Sequence, residues 1–141
     1  MINSIGLNPK KFDFRQKLLL LLRLVPHCET NYNLIELGPR ETGKSYTYNE
    51  LSPFSLLVAG GKASVAVLFY NVGKKEVGLV GVWDVVAFDE VANVKFGDPQ
   101  GPAMLQTYME SGNFARDKMR IEGKASMVFV GNIDNPLQIW E

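Results

Sequence analysis

Between an apolar run, Asn33-Leu34-Ile35-Glu36-Leu37, and a helical segment from Ser45 to Leu51 stands the octet GPRETGKS, residues 38–45. It fits the pattern Gly-x4-Gly-Lys-Ser, whose confirming context is a strand before it and a helix after it. In such a loop Gly38 and Gly43 let the backbone wrap a β-phosphate and present N–H donors. Lys44 reaches the β- and γ-phosphates, and the Ser45 hydroxyl ligates magnesium. The helix beginning near Lys44 adds the positive end of its dipole. The expected nucleotide-binding stretch is therefore Gly38, Pro39, Arg40, Glu41, Thr42, Gly43, Lys44 and Ser45, with Tyr46 following. Arg40 and Glu41 fall where side chains point outward.

The 141 residues suit one domain with a real core. Lys plus Arg equals Asp plus Glu, so composition gives no argument for a nucleic-acid partner, although a local basic patch is compatible with it. One cysteine, Cys28, excludes an internal disulfide, and one histidine, His27, cannot build a zinc site. The run Leu18 to Leu22, extended by Leu24 and Val25, is far short of a membrane span. It lacks the cleavage site of a signal peptide and is expected to be a buried helix. A reducing, cytoplasmic setting without membrane attachment is expected.

Residues 1–8 are expected to be loose, and Lys10 to Val25 to form a helix that Pro26 stops. Ser52-Pro53 closes the helix after the octet. ASVAVLFYN (63–71) and EVGLVG (76–81), around a Gly-Lys tip, predict a β-hairpin. WDVVAFDE (83–90) predicts a strand ending in two carboxylates, and AMLQTYMESG (103–112) a helix terminated by Gly112. Residues 113–124 form a charged turn or hairpin, and ASMVFVGN (125–132) a last core strand. Apolar strands alternating with helical segments predict an α/β fold whose mainly parallel sheet is covered on both faces. Ligands bind beyond the carboxyl ends of such strands, where the octet, Asp89-Glu90 and Asn132 all fall.

The acidic pair supplies what the loop lacks. Asp89 is placed to hold the magnesium shell and Glu90 to polarise an attacking water. Asp84 competes for acid–base work but lies at the entering end of the strand. Asn132 is placed to orient the water, against the alternative of a cap on the turn that follows. Guanine recognition would want Asn-Lys-x-Asp; GNID lacks the lysine, so ATP is preferred. GNFARDKMR (112–120) is either a solvated loop or a basic hairpin whose Arg116, Lys118 and Arg120 meet a nucleic-acid backbone.

Strand, GPRETGKS, helix, hairpin, VVAFDE, helix, charged hairpin and an Asn-ending strand together resemble the core of a AAA+ ATPase. NYNLIELGPRETGKSYTYNELSP, VGVWDVVAFDEVA and the YMESGNFARDK and ASMVFVGNI phrases resemble the BrxL family. Those are Lon-like proteins of BREX phage-defence systems, described as ATP-dependent Lon-type proteases. The resemblance implies a P-loop NTPase (AAA+) three-layer α/β/α core with an inserted β-hairpin. It implies ATP and Mg2+ as ligands, and a homo-oligomeric ring motor in the full-length protein. Carried over to these positions, Lys44 and Ser45 are the phosphate and magnesium residues, Asp89 and Glu90 the acidic pair and Asn132 the first sensor. The hairpin before the acidic strand and the one before the Asn strand are also similar in placement to inserts of MCM-type helicase cores. That likeness implies that Lys74, Lys75, Arg116, Lys118 and Arg120 face DNA in a central channel.

Residues 1–27 are then an N-terminal helical extension and 28–141 a partial AAA+ core. A fifth strand, a C-terminal lid with its sensor arginine, an arginine finger and a Ser-Lys proteolytic domain have no visible counterpart, so a piece of a larger protein is expected. An arginine finger is worth about 10³ or more in rate, so the expectation is an ATPase with weak or undetectable turnover in isolation. The alternative is a nucleotide-stabilised DNA-binding or assembly module without significant catalysis.

Overall fold

The structure, a computed structural model, describes residues 1–59, 62–90, 95–116 and 119–133. The first seven residues form successive turns, and Ile5 is buried where a loose start was expected. After a 3-10 turn at Pro9–Lys11 comes α1, Phe14–Leu22, shorter than the expected 10–25. Its start is set by a capping box: the Asp13 carboxylate accepts the Gln16 N–H at 2.7 Å and the Gln16 side chain accepts the Asp13 N–H at 3.0 Å. The expectation of a buried leucine helix is overturned. No residue of α1 is buried, and Leu18, Leu19, Leu21 and Leu22 are exposed. Five consecutive leucines point in all directions at 100° per residue, while only one side of α1 meets the rest of the chain. Pro26 does not merely stop a helix; it starts α2, Val25–Cys28, at a position where its missing N–H costs nothing.

Strand β1, Leu34–Gly38, leads through the octet into α3, Lys44–Glu50. Strand β2, Ser55–Val58, had not been anticipated; its signal is the apolar run Leu56-Leu57-Val58 shortly after Pro53. Strand β3, Lys62–Ala63, is followed by α4, Val65–Leu68, where a strand was expected. Ser64 caps α4 by accepting the Val67 N–H, and the i, i+3 pair Val65 and Leu68 is buried. A local cap and one-sided burial there overrode the strand preference of β-branched residues. The expected hairpin shrinks to β4, Tyr70–Asn71, against β5, Glu76–Val77, and Leu79–Gly81 is a 3-10 turn. Strand β6, Val85–Phe88, β7, Lys95–Phe96, and α5, Gly101–Ser111, follow, with Gly112 left-handed at the helix end. The charged segment is an antiparallel hairpin of β8, Asn113–Arg116, and β9, Met119–Glu122, and β10 spans Ser126–Asn132.

The main sheet is four-stranded and parallel, in the order β1-β10-β6-β2. Its two central strands are buried on both faces. Val85, Ala87, Val128 and Val130 pack with Tyr48 of α3 on one side. Val86, Phe88, Met127 and Phe129 face the other, where Leu68, Tyr108 and Phe114 complete the larger core. This double coverage is why both strands read as unbroken apolar runs, and it makes the chain an α/β, P-loop NTPase-like core.

Candidate functional site

Strand order and register build the site. Gly38, the last residue of β1, is level with Asn132, the last of β10, and the Ile133 N–H donates to the Gly38 carbonyl at 3.2 Å. Phe88, ending β6, is level with Phe129, so Asp89 and Glu90 emerge at the same edge of the sheet. Inserting the last strand between the first and the acidic strand is what brings the three carboxyl ends together. They open on one cleft of about 400 Å3, lined by loop residues 40–46 with Asp89, Glu90 and Asn132. Asp84 sits at the opposite end of β6, exposed, with its carbonyl accepting the Ser126 N–H.

The octet turns through two left-handed residues, Glu41 at φ 62° and Gly43 at φ 72°. Gly43 begins α3, and Ile5 lies against it at 3.5 Å from where a Cβ would stand. Arg40 and Glu41 are exposed, as expected of outward-pointing loop positions, yet both border the cleft. Lys44 is 5% exposed. Its ammonium donates to the carbonyls of Gly38, at 3.1 Å, and Pro39, and to the Thr42 hydroxyl at 3.3 Å. Burial lowers its pKa, an effect that nearby Glu36 opposes, Arg23 reinforces and Asp89 opposes. Lys44 is thus a desolvated cation held by neutral oxygens of its own loop, a state that an incoming anion improves.

At the far side of the cleft the Asp89 carboxylate accepts the Glu90 N–H at 2.9 Å, and Glu90 has φ 52°. Among the described residues no cluster of three or more His, Cys, Asp or Glu side chains could hold a metal by itself. A magnesium ion asks for less than such a cluster, since it takes one or two carboxylates and completes its shell with phosphate and water. The Ser45 hydroxyl and the Asp89 carboxylate, both on this cleft, are oxygen donors of the required kind.

Lys74, Lys75 and Arg120 do not line the cleft. Lys74 and Lys75 are exposed at the tip of the β4–β5 hairpin. Arg120 is exposed on β9, Arg116 ends β8 and Lys118 lies outside the described residues. Sequence reasoning missed the ion pair beneath the loop. Arg23, buried after α1, donates from Nε to Glu36 of β1 at 2.7 Å and from Nη1 to the Thr42 carbonyl at 2.9 Å. A lone carboxylate inside the apolar run LIEL was the available signal.

The family described as "Lon-like protease BrxL-like, ATPase domain" has a model that matches residues 1–140. This chain belongs to that family. As a BrxL-like ATPase domain it is similar to the Lon-like protease BrxL of Escherichia coli O9:H4 (strain HS), with 53% identity over 138 residues. That match covers 98% of this chain and 20% of the relative. It is also similar to the Lon-like protease BrxL of Bacillus cereus (strain H3081.97), 51% identical over 139 residues, 99% of this chain and 21% of the relative. The BrxL-like chain therefore spans about a fifth of the length of these curated relatives. Among its described residues no helix is long and apolar enough to cross a membrane.

Proposed function

We propose that this chain binds and hydrolyses ATP as the partial AAA+ core, residues 28–141 with a 1–27 extension, of a ring motor in its full-length protein. The observation that carries the reading is the single cleft onto which Lys44, Ser45, Asp89, Glu90 and Asn132 all open. Lys44 exchanges the carbonyls of its loop for phosphate oxygens, and the Gly43 amide and its neighbours receive the same charge. Ser45 and Asp89 hold Mg2+ when nucleotide is bound, where the ion neutralises charge on the phosphate oxygens. Asn132 orients a water against the γ-phosphorus. Glu90 accepts that water's proton as its oxygen bonds to phosphorus and the bond to ADP breaks.

Titration with a fluorescent ATP analogue tests the binding step. Lys44→Ala is expected to weaken binding at least about tenfold, the scale of one lost charge-assisted contact. Unchanged affinity would end the phosphate-loop reading.

A second reading keeps the nucleotide as a structural ligand and assigns the chain to DNA binding or assembly. It rests on the exposed Lys74, Lys75 and Arg120, each on an antiparallel hairpin. Salt-dependent binding of duplex DNA, lost on Arg120→Ala with Lys74→Ala and Lys75→Ala, would favour it; salt-independent or absent binding would remove it. Ring assembly, cytoplasmic location and a part in phage defence are proposals for the whole protein. Native mass spectrometry, cell fractionation and plaque counts with Lys44→Ala in the full-length protein test them.

A further inference from the structure

We infer that Arg23 is a positioning residue for nucleotide binding: from outside the octet it sets the plane of the Thr42–Gly43 peptide and so aims the Gly43 amide. The inference rests on the phosphate-loop reading and adds to it a residue that no motif contains. Arg23 caps the end of α1 and is 7% exposed. Its guanidinium is divided between two partners. Nε and Nη2 meet Glu36 Oε1, and Nη1 donates to the Thr42 carbonyl. On its other side Glu36 Oε2 lies 3.5 Å from the Tyr48 hydroxyl, a long contact. The anchor is therefore a planar fork on a half-buried carboxylate, with one N–H left over for the loop.

A trans peptide is planar, with its C=O and N–H pointing in opposite directions, and the described chain holds no cis bond. Fixing the Thr42 carbonyl toward Arg23 therefore fixes the Gly43 N–H away from it. Arg23 borders an apolar groove between α1 and β1; Gly43 borders the cleft with Asp89 and Asn132. The loop separates the two, so the amide that the fork turns away from the groove is turned to the cleft side. Gly43 needs this constraint more than most residues, because a glycine at φ 72° has no Cβ to limit its rotation. The same contact ties the N-terminal segment to the phosphate loop, since Arg23 leaves α1 and Thr42 enters α3.

Arg23→Lys tests this. A lysine keeps a positive charge opposite Glu36 but has no planar fork to serve Glu36 and Thr42 together. Glu36→Gln is the complement: it removes the charge but leaves an oxygen for the guanidinium. With ATP and ADP as ligands, Arg23→Lys is expected to lose about tenfold in affinity, with a nucleotide-free melting temperature within about 3 °C of the parent. Glu36→Gln is expected to lower the melting temperature more than the affinity. Two results overturn the proposal: Arg23→Lys binding like the parent while Lys44→Ala does not, or both variants losing affinity only in proportion to melting temperature. If Lys44→Ala also binds normally, the phosphate-loop reading itself has failed. Should Arg23→Lys not fold, the double change Arg23→Gln with Glu36→Gln removes both charges of the pair together and carries the same affinity expectation and the same two overturning results.

Discussion

The backbone N–H of Glu90 donates to the carboxylate of Asp89 at 2.9 Å, and it does so from a left-handed conformation, φ 52°. A non-glycine residue held there costs about 1–3 kcal/mol, and such strain clusters where a side chain must be aimed. Glu90→Gly should therefore be more stable to chemical denaturation than Glu90→Ala, which lacks the same side chain but keeps the strain. A glycine placed at an ordinary helix or strand position would instead cost about 0.5–1 kcal/mol. Glu90→Gln keeps the strain and the shape. In the full-length protein it is expected to retain ATP binding and lose turnover by about 10²-fold or more, the scale of general base removal. Retained turnover in Glu90→Gln would remove Glu90 from the chemistry.

The His27 ring stacks on Tyr48 with centroids 5.8 Å apart and planes at 17°, and among the described residues neither ring nitrogen has a hydrogen-bond partner. Burial lowers the His27 pKa, against a smaller opposing pull from Asp84. With the folded pKa below the unfolded one, the unfolded chain binds the proton first. Stability is thus full above about pH 6.5 and falls as pH drops below it. Melting temperature measured between pH 7.5 and 5 should decline, and His27→Phe, which keeps the stacking and removes two unpaired nitrogens, should flatten that decline. A decline of equal slope in the variant would place its origin elsewhere.

Tyr108 gives the opposite sign. Its fully buried hydroxyl donates to the Ala125 carbonyl at 2.7 Å, and burial raises its pKa. Tyr48 is raised likewise, first by burial and then by Glu36. A raised folded pKa means stability that is complete below about pH 10 and lost as pH climbs beyond it. Alkaline denaturation followed by tyrosinate absorbance should show these two phenols ionising only with unfolding.

What could be read in advance followed from chemistry that is local in sequence. GPRETGKS, VVAFDE and VFVGN each announce a strand end, and the core strands announce burial on both faces by having no polar alternation. The crevice could be foreseen for the same reason, since all three motifs end strands of one sheet. The contents of 63–81 could not. Val65 to Leu68 has the composition of a strand, and what makes it a helix is Ser64 below it and the core above it. The exposure of the α1 leucines was equally hidden, because hydrophobicity does not say how much partner surface a helix will meet. Arg23 and Glu36, thirteen residues apart, meet only once the chain has folded.

Two glycines separate the demands of folding from those of binding. A Cβ on Gly78 would stand 2.4 Å from the Val67 carbonyl oxygen and 2.5 Å from the Leu68 backbone, atoms of α4 that cannot swing aside. The Gly78 N–H also donates to the Phe69 carbonyl at 2.7 Å, so the approach is held on both sides. Gly78→Ala should cost about 3 kcal/mol, the upper range for overpacking, read as a shift in denaturation midpoint. A Cβ on Gly38 would meet nothing within 4 Å, and its backbone is not left-handed. Gly38→Ala should therefore leave nucleotide-free stability unchanged or raise it by up to about 1 kcal/mol through the unfolded state. If phosphate closes on the loop at that point, the same methyl stands where the ligand must come, and affinity for ATP falls with no loss of fold. A Gly38→Ala chain that binds ATP like its parent would show that the ligand keeps its distance from the strand end.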